Sequence, residues 1–352
     1  MSDASTSDAT TSDAPAFELQ HCLMAEADVL PLLAGRRQRS AGRVMDPKAQ
    51  VVAEFSRSVR VPGYFPPLPE LRQQIRTLVQ LLDEPAPALK RIEDITVPGA
   101  DGPVGARVYA DSDAPSLPVL AFFHGGGWVQ GDLESHHGLC AHFAKWSGAM
   151  VVAIDYRLAP ETKFPGGLND CMSAYGWLRQ HAAEIGGDPA RVAVGGDSAG
   201  GNLSIVVAQQ SAAAGLPVPD FQWLIYPATD FAMTAASHDE FEEGAIIPRD
   251  RVIWYRDQYL ASLDDIGDLR ASPLLTADLQ GQPPALVQTA GFDPLRDEGL
   301  DYADRLRTAG VHTVHHEYPG QIHGFMMLTK AIPEGLVAIR EGADYARRHW
   351  NI

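Results

Sequence analysis

The sequence predicts an α/β fold from about residue 91 onward, with a mostly parallel central sheet flanked by helices. Two observations carry this expectation. Short apolar runs alternate with amphipathic stretches, which is how strands buried under helices read. The residues best suited to chemistry fall just after those runs, and an open parallel sheet gathers its ligands beyond the carboxyl ends of its strands.

Bulk properties narrow the field. A chain of 352 residues that is 45% hydrophobic and 21% charged can form one large domain, alone or with an inserted lid. Its formal charge of -17 opposes binding to nucleic acid and stable association with anionic membranes, and it suits a partner that is a small neutral molecule. The only cysteines are Cys22, Cys140 and Cys171, far apart and odd in number, so neither a disulfide framework nor a Cys-ligated metal is indicated. A reducing, cytoplasmic setting follows as the expectation. No apolar run approaches the roughly 18 residues of a membrane span.

Taken in order, residues 1–15 are polar and lack both a basic and an apolar segment, so they read as a disordered tail and not as a secretory signal. Residues 16–90 break the alternation and contain a helix-like stretch, Leu68 to Leu82. Strands are expected at Val119 to Phe123, Met150 to Ile154, Val192 to Val194, Trp223 to Tyr226, Leu286 to Thr289 and Thr313 to Tyr318. Residues 231–272, carrying Phe231, Phe241, Trp254, Tyr255 and Tyr259, are too long for a plain loop and read as a cap insertion. The α/β core is then residues 91–230 and 273–352.

Gly196-Asp197-Ser198-Ala199-Gly200 lies between the run at Val192 and a helix-like run from Gly201 to Ala214. G-x-S-x-G at a strand-to-helix turn is the nucleophile elbow, whose tight backbone needs small neighbours on both sides of the serine. About 70 residues upstream, His124-Gly125-Gly126-Gly127-Trp128 follows another strand run. Its successive glycines leave amides unshielded for a developing oxyanion, whereas a phosphate loop would continue with Lys and Ser/Thr.

A serine hydroxyl needs a base, and the base needs an acid to hold its tautomer. In the chain order Ser, acid, His, the base candidates are His238, His312, His315, His316, His323 and His349. His323, in a flexible turn after the run ending at Tyr318, is favoured. His312, His315 and His316 make no metal site, because adjacent strand residues face opposite sides. Asp293, after the run at Leu286, is the favoured acid; as an aspartate before Pro294 it also reads as a helix N-cap. Asp297 is the runner-up, although a helix dipole explains a carboxylate in a first turn. Asp197, inside the elbow, is given no role. Arg157 and Glu161 read as a structural turn or buried ion pair.

Together, His124 to Trp128, Asp155 to Glu161, Gly196 to Gly200, Asp293-Pro294-Leu295 and His323-Gly324-Phe325 closely resemble the hormone-sensitive-lipase-like branch of the α/β-hydrolases, over roughly residues 90–350. The resemblance implies Ser198 as nucleophile, His323 as base, Asp293 as orienting acid, and the amides of Gly126, Gly127 and Ala199 as the oxyanion hole. It also implies a helical cap built from the N-terminal segment and the later insertion, and a short-to-medium-chain carboxylesterase without cofactor or metal. Trp128 and Phe325 are expected to flank an apolar substrate pocket. An amidase, arylformamidase or lactonase with the same triad, and a non-catalytic ligand-binding homologue, are the alternatives. A homodimer is left open.

Overall fold

The computed structural model describes residues 17–352, and the expected tail at 1–15 lies outside the described residues. One eight-stranded sheet organises the chain. β1 (Arg91–Pro98) and β2 (Pro103–Ala110) pair antiparallel, and β2 runs antiparallel to β4 (Met150–Asp155). The other strands are parallel: β3 (Leu117–Phe123), β5 (Gly187–Asp197), β6 (Gln222–Ile225), β7 (Ala285–Phe292) and β8 (Thr313–Ile322). The spatial order is β8-β7-β6-β5-β3-β4-β2-β1.

The six runs read from the sequence all fall in strands, except that Tyr226 lies one residue past the end of β6, and β1 and β2 were not foreseen. Arg91, Glu93 and Asp94 leave the edge strand β1 with little apolar signal, because an edge hydrated on both faces need not alternate. β8 also extends past Tyr318. Its register slips between Tyr318 and Ile322, so Pro319 to Gln321 form a bulged continuation and not the flexible turn expected there.

Successive side chains of β3 feed two cores, Leu120 and Phe122 into one and Val119, Ala121 and Phe123 into the other. Helices α3 (His137–Ser147) and α9 (Glu334–Trp350) pack into the first, and α4 (Gly166–His181) and α5 (Ala199–Ser211) into the second. α8 (Arg296–Thr308) buries Tyr302, Ala303 and Leu306 against Leu224, Ala285 and Val287. This layering explains why β3 and β7 are buried along their whole length and read as continuous apolar runs.

Two helical regions stand outside that layering. α1 (Pro47–Val59) is capped by Asp46, whose carboxylate accepts the amides of Lys48 (2.8 Å) and Ala49 (3.1 Å), with Pro47 opening the helix. α2 spans Leu68–Leu82, as its amphipathic spacing predicts, and buries Leu71, Val79 and Leu82 along one face. The second region holds α6 (Ala236–Glu240) and α7 (Arg249–Tyr259). Among the described residues, no helix is long and apolar enough to cross a membrane.

Candidate active site

β5 ends at Asp197, and the chain reverses into α5 within one residue. That residue, Ser198, has φ 55° and ψ -116°, a conformation that costs a non-glycine residue about 1–3 kcal/mol. Its amide donates to the Ile225 carbonyl at 2.8 Å, fixing the turn against β6. A Cβ at Gly200 would run into the backbone carbonyl of Phe123, which is why the elbow can nest against β3 only with glycine there. The helix starts at Ala199, two residues before the sequence suggested, and ends at Ser211.

Ser198 Oγ donates to His323 Nε2 at 2.9 Å, and His323 Nδ1–H donates to Asp293 Oδ2 at 2.7 Å. The register creates this alignment, because Ile322 pairs with Phe292 and the next residue of each strand is His323 and Asp293. Asp293 is fully buried, and its other oxygen accepts the Leu295 amide at 2.8 Å. That contact closes the Asp-Pro turn, but the helix begins only at Arg296 with Leu295 as its N-cap, so Asp293 is not the N-cap expected from the sequence. The runner-up Asp297 instead pairs with Arg296 Nε at 2.7 Å. Tyr226 packs on the His323 ring with centroids 4.7 Å apart.

The glycine segment after β3 divides by role. The Gly125 amide donates to Asp197 Oδ1 at 2.8 Å, whereas the Gly126 and Gly127 amides engage no protein acceptor among the described residues. Asp197, given no role from the sequence, is thus the post that holds this loop to the elbow. It is buried with His136, whose Nε2 lies 3.0 Å away. Burial alone would push the Asp197 carboxyl up, but His136 and the Gly125 amide outweigh it and hold it below the usual value. Burial likewise works against a charged His136, and Asp197 carries the net shift upward. The neighbouring His124, whose carbonyl accepts from Tyr156 Oη at 2.7 Å, is pushed down to about 4 by burial and by His136. The clue available was an acid between Gly196 and Ser198 at a strand end, with His136 upstream; the pairing itself is nonlocal.

Ser198 and His323 open on a cavity of about 480 Å³, walled by both helical regions. Phe55, Leu71, Ile75 and Leu78 come from the first and Phe231, Val252 and Tyr255 from the second. Tyr255 lies over Gly127, whose φ of 61° and missing Cβ admit the ring, and its hydroxyl accepts from Gln130 Nε2 at 2.8 Å. From α2, Arg72 donates to the Val129 carbonyl at 2.9 Å.

Trp128 borders the cavity and stacks on Tyr259 at 4.7 Å. Phe325 does not, which corrects the expected pocket. It is fully buried beneath Tyr226 and Tyr318, because the turn after His323 directs it into the core. Arg157 and Glu161 do not pair with each other either. Arg157 bridges Asp170 and Asp101, while Glu161 meets Arg72 at 2.7 Å.

Residues 120–327 match the family described as the alpha/beta hydrolase fold. The chain belongs to the α/β-hydrolase family. Relatives place it in the hormone-sensitive-lipase-like branch. It is 41% identical to the carboxylic ester hydrolase LipN of Mycobacterium tuberculosis, over 84% of this chain and 81% of that protein. With the ethyl acetate hydrolase of Pseudomonas putida the identity is 37%, covering 77% of this chain and 88% of that one. An ester hydrolase from the metagenome of Lake Arreo superposes with a TM-score of 0.84 at 38% identity, over 88% of this chain and all (100%) of the other. Within this α/β-hydrolase, the triad geometry and the unengaged loop amides lie at one end of the sheet, where the strand ends leave room for a substrate.

Proposed function

We propose that this carboxylic ester hydrolase cleaves short-to-medium-chain acyl esters through an acyl-enzyme on Ser198. The observation that carries the reading is the unbroken hydrogen-bonded line Ser198–His323–Asp293 beside two amides with no partner among the described residues. His323 Nε2 takes the proton as Oγ attacks the ester carbonyl, and Asp293 steadies the imidazolium that results. Negative charge moves to the carbonyl oxygen, where the amides of Gly126, Gly127 and Ala199 receive it. Collapse breaks the C–O bond as His323 returns the proton to the leaving alcohol. Water, activated by the same imidazole, then attacks the acyl-enzyme and releases the acid.

The cavity supports the chain-length part of the proposal. Its walls are mostly apolar, and a buried methylene gains about 0.8 kcal/mol, roughly fourfold in kcat/KM, until the space is full. A volume of about 480 Å³ sits in the lower half of the range for small-molecule sites, roughly 300–1,000 Å³. On a p-nitrophenyl series, kcat/KM should peak between about C2 and C8 and fall by about C12 as the added methylenes find no room. Ser198→Ala should cost about 10⁴–10⁶ in kcat at unchanged circular dichroism. A maximum at palmitate would refute the closed pocket, and full activity in Ser198→Ala would refute the nucleophile.

A further inference from the structure

The cavity wall contains a buried carboxylate–imidazole pair that the triad does not use. Glu298, in the first turn of α8, and His238, on α6, both border the cavity and are 1% and 0% exposed. His238 Nε2 lies 2.7 Å from Glu298 Oε2. Glu298 Oε1 accepts the amides of Thr229 (2.5 Å) and Asp230 (3.4 Å). Burial pushes the Glu298 carboxyl above its ordinary value, and the His238 and Thr229 hydrogen bonds offset only part of that rise. The other ring nitrogen, His238 Nδ1, has no hydrogen-bond partner among the described residues.

The chemistry of this arrangement is determined by its protons. A carboxylate has no proton to give, so the imidazole nitrogen facing it must carry one, and the neutral ring then holds its lone pair on Nδ1. A buried acceptor without a partner is costly, and it is best satisfied by a donor arriving with a ligand. The same cavity wall carries the apolar side chains of Phe231, Met233, Ile246, Ile247 and Leu295. A fixed acceptor on a largely apolar wall is a means of selecting among molecules of the same size.

We propose that His238, oriented by Glu298, is a specificity-determining acceptor that selects esters bearing a hydroxyl or N–H donor on the acyl or alcohol part. The inference rests on ester hydrolysis at Ser198. Its free-energy source is the loss suffered by a plain alkyl ester, which covers Nδ1 and leaves it unpaired.

The test compares kcat/KM for matched esters in two series. One places a hydroxyl at successive carbons of the acyl chain of p-nitrophenyl butyrate to hexanoate, and the other places it along the alcohol of butyl to hexyl acetates. The better-placed series identifies which part of the substrate reaches His238. In the wild type, at least one hydroxylated ester should exceed its plain counterpart by about tenfold, the worth of one satisfied buried acceptor. His238→Leu should bring that ratio to one or below while plain esters are still hydrolysed.

Glu298→Gln supplies a readout that loss of packing would not give. The Gln oxygen must keep facing the Thr229 and Asp230 amides, so its NH₂ faces His238 and donates to Nε2. The ring proton then moves to Nδ1, which becomes a donor, and preference should switch from hydroxylated esters to methoxy or keto analogues. No preference at any position in the wild type, or an unchanged ratio in His238→Leu and Glu298→Gln, overturns the proposal. Failure of the underlying reading looks different, because plain p-nitrophenyl esters would then not be turned over at all.

Discussion

Replacing Asp197 by asparagine removes one charge from a buried pair and keeps both the shape and the acceptor for the Gly125 amide. Asp197 and His136 are 1% and 2% exposed, so little water is at hand to replace the lost partner. Breaking such a pair from one side costs about 3–5 kcal/mol, because the survivor is left charged with nothing opposite it. His136 can shed its proton, so the full cost applies only where it would be charged. The pH window follows from the two directions. Asp197 is lowered, so its contribution is present above the ordinary value of 3.8 and is lost as pH falls through the depressed folded value. His136 is raised, so its contribution is complete below the ordinary 6.5 and is lost as pH rises through the raised value. Asp197→Asn should therefore destabilise most near pH 5, by about 4–7 °C in Tm for a chain of this size. Because Gly125 keeps an acceptor, kcat should fall by only about tenfold, short of the roughly 10²–10³ for a lost oxyanion donor. Scanning calorimetry at pH 5 and pH 9, with kcat on p-nitrophenyl acetate, makes the measurement. An equal Tm loss at both pH values, or none at pH 5, would refute the charged pair as the support of this loop.

Two further substitutions separate neighbouring roles. Asp293→Asn should cost about 10⁴ in kcat by favouring the wrong His323 tautomer, whereas Asp297→Asn should cost about 0.3–1 kcal/mol of stability and little activity; the opposite ranking of kcat moves the acid to Asp297. Gly127→Ala places a methyl group against the Tyr255 ring and should lower kcat/KM by about 10² through displacement of the loop. Tyr255→Ala in the same chain should restore part of that loss, and no restoration would show that the strained φ of residue 127, and not the Tyr255 ring, is responsible.

The sequence by itself determined the elements whose signal is local. The apolar runs of β3 and β7 are legible because both faces of these strands are buried, and Leu68–Leu82 is legible because its buried side chains repeat at helical spacing. Ser198, Asp293 and His323 could be singled out because each follows a strand run in a characteristic setting of small or turn-forming residues. Tertiary structure alone decided everything that depends on which strand lies beside which. The slip in β8 brings Ile322 level with Phe292, and so carries His323 to Asp293. Packing, not spacing, sends Phe325 into the core, separates Arg157 from Glu161, and joins Asp197 to His136 across 61 residues of chain. The physical reason is common to these cases: turn geometry and periodicity are set by neighbours along the chain, whereas a buried charge or ring takes its partner from whatever the folded sheet and its helices bring alongside.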